Sequence, residues 1–103
     1  MTRSPDQALA HFKETCESNP RLAEPFRKLL IAALAYIEIA CAAKLSELKQ
    51  EDAAFEGAGS RLAAARENYF ARRDALQRAN VLAQGPEFPF TGEDDHWKVL
   101  QIV

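Results

Sequence analysis

The chain is poor in the side chains that build metal centres and nucleophile sites, with two cysteines and two histidines among its 103 residues. Cys16 and Cys41 cannot form a disulfide framework and match no zinc-ligand spacing, which fits a reducing compartment. His11 has Glu14 on its own helical face, but a carboxylate-bridged metal pair needs Glu-x-x-His on two helices with further carboxylates. Four glycines give no Gly-rich phosphate loop, and no Ser-His-Asp or Cys-His arrangement can be drawn. No metal, no cofactor and no enzymatic activity is expected.

Charge of one sign is lacking too. Thirteen basic and fifteen acidic residues leave −2, which argues against binding nucleic acid by bulk charge and against a disordered acidic tail. Long hydrophobic runs are absent. The longest apolar stretch, Leu29–Ala43, is about 15 residues and contains Glu38, whereas a spanning helix needs about 20. It also starts too far from Met1 for a secretory signal, and Glu38 spoils the likeness of Glu38–Cys41 to a lipoprotein cleavage site. No membrane is expected, and the location expected is cytoplasmic.

What remains reads as all-α. Ser4-Pro5-Asp6-Gln7 is a capping box with proline at the first helical position, followed by Leu9, Phe12 and Cys16 along one edge. A short helix is expected over about 5–17. Asn19-Pro20 repeats the start signal, but Pro25 would lie one turn too deep and crowd the carbonyl of Arg21. The long second helix is therefore placed at about 25–56, stopped by Gly57-Ala58-Gly59. Ser60 caps a third helix over about 60–84, closed by Gly85-Pro86 with the glycine left-handed. Residues 1–85 form a helical domain, and 86–103 an extended arm in which Trp97–Val103, rich in β-formers, reads as a short strand.

Both long helices carry two apolar edges. On the second, Phe26, Leu30, Ile37, Cys41, Leu48 and Phe55 form one stripe, and Leu29, Tyr36 and Ile39 a further face confined to the first half. On the third, Leu62, Ala65, Tyr69, Leu76, Ala79 and Ala83 form the main stripe, with Phe70 and Val81 nearly opposite. A turn at 57–59 makes the two an antiparallel hairpin, and two hairpins packed face to face would make a four-helix-bundle homodimer. Leu29, Tyr36, Ile39, Phe70 and Val81 are its expected dimer or partner core.

Counting outward from that turn brings Arg66 beside Glu47 and Glu51, Arg61 beside Asp52 and Glu56, and Arg78 close to Glu38. Glu38 and Arg78 are expected as a structural ion pair, since an isolated carboxylate in an apolar stretch needs a partner. The third helix carries five arginines against Glu67 and Asp74, a local +3. Arginine grips phosphates and base edges, yet here the arginines border an apolar seam, so nucleic-acid regulation is the alternative rather than the expectation.

Phe88, Phe90 and Trp97 crowd into ten residues of the arm, and a lone strand leaves its backbone groups unpaired. Phe88, Phe90, Trp97, Val99, Leu100 and Ile102 are the expected partner-binding residues, by β-addition to a twin or a target. The expectation is a non-enzymatic interaction protein that binds a larger partner protein: a regulator, an antagonist of antiactivator type or an adaptor. A secretion-type chaperone is a further alternative with the same architecture.

Overall fold

The computed structural model describes residues 4–49 and 58–103, in which every regular element is helical. Three α-helices, α1 (Pro5–Ser18), α2 (Pro20–Lys49) and α3 (Ala58–Leu82), are followed by a 3-10 helix (Asp95–Gln101). The molecule measures 48 × 25 × 19 Å. Its long axis is the length of α2, since 30 residues at 1.5 Å each span about 45 Å.

The capping box fixes the start of α1. Gln7 donates its backbone N–H to Ser4 Oγ at 3.2 Å, and Ser4 donates its own to Gln7 Oε1 at 3.2 Å. The Asn19-Pro20 signal, set aside in the sequence because of Pro25, is the true start of α2. Asn19 Oδ1 accepts from Arg21 N at 2.9 Å, and the Asn19 carbonyl accepts from Leu22 and Ala23. Pro25 sits inside the helix. The carbonyl that loses its donor belongs to the exposed Arg21, a position where the loss is tolerated.

α2 and α3 run in opposite directions. Tyr36 packs on Tyr69 with ring centroids 6.1 Å apart, while Pro25 and Lys28 share a shallow depression with Arg72 and Ala75. The Gly57–Gly59 turn is corrected by the structure: Ala58 and Gly59 are already helical, and the connection lies outside the described residues. Counting from that turn would have set Tyr36 beside Asn80, so the register moves by about three helical turns. The expected Glu38–Arg78 pair goes with it. Glu38 and Arg78 are both exposed, and Arg78 donates instead to the Asp74 carbonyl at 3.4 Å. The pairings of Arg61 and Arg66 with Glu47, Glu51, Asp52 and Glu56, and the Leu48 and Phe55 ends of the stripe, lie outside the described side chains.

α3 closes with a Schellman motif one residue earlier than expected. Gln84, not Gly85, holds the left-handed conformation at φ 53°. Gly85 N donates to Asn80 O at 2.9 Å and Gln84 N to Val81 O at 3.1 Å. Gly85 is needed for another reason: a Cβ there would run into the Asn80 side chain, whose Nδ2 donates to Pro86 O at 2.8 Å.

The core joins Leu9, Phe12 and Cys16 of α1 to Leu22, Phe26, Leu29, Ala32 and Ala33 of α2 and to Tyr69 and Leu76 of α3. Phe88, Phe90, Val99 and Ile102 complete it from the C-terminal segment. Among the described residues no helix is long and apolar enough to cross a membrane.

Candidate functional site

The C-terminal segment folds back onto its own helices. Phe12 is the hub, with edge-on contacts to Phe26 at 6.1 Å, Phe88 at 5.6 Å and Phe90 at 6.2 Å. Beyond Phe90 the chain turns on Asp95, whose Oδ2 accepts from Gly92 N at 2.6 Å. Lys98 Nζ ties the turn down, donating to Pro89 O at 2.8 Å and pairing with Asp95 at 3.3 Å. The expected strand is replaced by a 3-10 helix for a simple reason. Local bonds such as Trp97 N to Asp94 O and Ile102 N to Val99 O satisfy the backbone without a neighbouring strand.

Because residues three apart eclipse in a 3-10 helix, Asp95–Gln101 and the two residues after it sort into three sets. His96, Val99 and Ile102 are buried against the helices. Asp95, Lys98 and Gln101 form a polar edge. Trp97, Leu100 and Val103 form the third set, 42%, 50% and 64% exposed. Of the six residues expected to bind a partner, Phe88, Phe90, Val99 and Ile102 are therefore interior, and Trp97 and Leu100 remain available. Val103 was missed. The signal that could have found it is the period of three, which the β-rich composition hid.

Beneath this segment lies a polar, aromatic cluster. The His96 ring rests on Tyr36 at 4.5 Å and meets Tyr69 edge-on at 5.7 Å, with Trp97 at 5.0 Å on its other side. Burial lowers the His96 pKa below its ordinary 6.5 and Arg66 adds to this, while a backbone hydrogen bond at Glu93 and the carboxylates of Asp94 and Asp95 oppose it. Burial pushes the Tyr69 hydroxyl up to about 12, helped by Asp95 and Tyr36 and opposed by Arg73. His96 Nδ1, Tyr69 Oη and Arg73 Nε are buried there without a hydrogen-bond partner. Burial thus favours the neutral form of both groups, so that His96 and Tyr69 pack as uncharged rings against Tyr36.

The expected dimer core does not form a common outer surface. Leu29 is fully buried within the chain, Tyr36 is engaged by Tyr69 and His96, and Ile39 is half-buried. Phe70 is half-buried and held between two guanidinium groups, Arg66 at 4.8 Å and Arg73 at 4.5 Å from its centroid. Only Val81 is fully open, at 70%. Two of the five arginines thus stack on an aromatic ring of their own helix, while Arg61, Arg72 and Arg78 are exposed. Among the described residues no group of three or more His, Cys, Asp or Glu side chains is placed to hold a metal ion. In comparisons with known proteins, no family model, curated relative or solved structure matches the chain.

Proposed function

We propose that the chain is a small non-enzymatic interaction protein, a regulator or antagonist that binds a larger partner protein through the outer face of its C-terminal 3-10 helix. One observation carries this reading: Trp97 and Leu100 stand exposed on one face of an element whose inner face is locked into the core, with exposed Val103 just beyond its end. An aromatic side chain mounted on a fixed backbone supplies large contact area at low entropic cost, as binding anchors do. Exposed Glu93 and Asp94 lie just before the helix, so the complementary partner has an apolar groove with a basic rim.

The test is affinity capture from the native cell with the intact protein and with a Trp97→Ala/Leu100→Ala variant. Trp97 is 42% and Leu100 50% exposed, so a thermal melt of the variant first confirms that it is folded at the capture temperature. A protein captured by the parent and lost by the variant, at low and moderate salt alike, supports the reading. Equal capture by both sinks it. Capture of nucleic acid that falls steeply with salt would instead favour the arginines of α3.

A further inference from the structure

The surface of α2 turned away from the core carries a second interaction face, made of Glu24, Arg27, Ile31, Leu34, Glu38 and Cys41. All six are exposed, Ile31 at 56% and Leu34 at 38%. Their spacing alternates three and four, the seam spacing of a left-handed coiled coil, and it lies opposite the buried row Leu22, Phe26, Leu29 and Ala33. The six span about 27 Å of helix, all after or beside Pro25, so the helix bend does not interrupt them.

The central four side chains of this face are self-complementary about its midpoint. Ile31 and Leu34 stand at its centre, flanked by Arg27 on one side and Glu38 on the other. When two such faces meet antiparallel about a two-fold axis, Ile31 of each copy lies against Leu34 of the other. Arg27 of each then lies against Glu38 of the other. Among the described residues neither Arg27 nor Glu38 has an ion-pair partner within the chain, whereas Glu24 is held by Lys28 at 3.6 Å. A parallel arrangement would instead set Arg27 on Arg27 and Glu38 on Glu38. Self-complementarity of this kind is what a closed two-fold interface requires.

We infer that α2 is a homodimerisation helix, pairing antiparallel with the same helix of a second copy through Ile31 and Leu34 and the two reciprocal Arg27–Glu38 contacts. The occupant is a second copy because the complementarity resides within one sequence. This inference is independent of the proposed partner-binding face on the 3-10 helix. One helix face covers less than the roughly 800 Å² per partner of a standard interface, so the dimer is expected to be weak and concentration-dependent.

Sedimentation equilibrium of the intact chain, up to about 1 mM, reads it directly, with circular dichroism confirming that each variant is folded. Arg27→Glu makes positions 27 and 38 both acidic and Glu38→Arg makes both basic. Each variant alone should dimerise at least about tenfold more weakly, because both reciprocal contacts become like-charged. An equimolar mixture of the two should recover association to within about threefold of the parent, since opposite charges meet again. A parent that stays monomeric at 1 mM overturns the inference. So do single variants that associate as well as the parent, the result a parallel pairing would give, or a mixture that fails to recover.

Discussion

The two ends of the rod are built differently. At one end α1, α3 and the C-terminal segment converge on α2, and Leu22, Phe26, Leu29, Ala32, Ala33 and Ile37 are all buried. Toward the other end, among the described residues, Ile39, Ala40 and Ala43 are half-buried at most. α3 repeats the contrast, with Tyr69, Leu76 and Asn80 buried but Leu62 and Ala65 only partly so. A helix that is apolar all round needs neighbours on several sides, and where the neighbours stop, polar residues take over the surface. Among the described residues, burial is thus concentrated where the aromatic rings meet.

Core truncation separates the two ends most sharply. Phe90 is fully buried between Phe12 and Phe88, so Phe90→Ala should cost about 3–5 kcal/mol by urea denaturation. Ile39→Ala at the open end should cost about 1 kcal/mol or less. Equal losses would show that the far end is as well supported as the aromatic one.

A smaller effect is expected at the close of α3. Gly85→Ala should destabilise by about 1–3 kcal/mol, since the added methyl displaces Asn80 from Pro86. Gln84→Gly, which relieves a left-handed non-glycine residue, should gain up to about 1 kcal/mol. Thermal melts of the two variants check the opposite signs.

The gentlest probe is pH. The folded His96 pKa lies below 6.5, so the unfolded chain binds more protons in mild acid. This histidine's contribution is complete above about pH 6.5 and declines as the pH falls, by at most about 1.4 kcal/mol per unit. The neutral rings of Tyr36 and Tyr69 face the imidazole, Arg66 reinforces the decline, and Asp94 and Asp95 moderate it. Amide exchange in the 3-10 helix should rise first in acid, and His96→Gln should flatten the difference between pH 7 and pH 5.5.

The helices were legible because their signals are local. Ser4, Pro5 and Gln7 fix the start of α1 with bonds three residues long. The relation between helices was not legible, because it depends on where one turn falls. Placing that turn at Gly57–Gly59 set Tyr36 beside Asn80 rather than Tyr69 and gave Glu38 a false partner. Pro25 misled because the carbonyl that it leaves without a donor belongs to the exposed Arg21, where water can replace the lost bond. The tail was hardest. Trp97, Val99, Gln101 and Val103 alternate as in a strand, while His96, Val99 and Ile102 share a period of three, and only tertiary burial decides between them.

The two thiols differ as chemical reporters. Cys16 is fully buried in the α1 core, and its thiol is pushed up to about 12, chiefly by burial and secondarily by Glu17. Cys41 stands exposed on α2. Thiolate is the reactive form, so oxidants and alkylating reagents reach Cys41 in the native fold and Cys16 only after α1 has opened. One molecule therefore carries a surface probe and an internal clock: modification of Cys41 reads whether α2's outer face is covered, and modification of Cys16 reads how often the aromatic end comes apart.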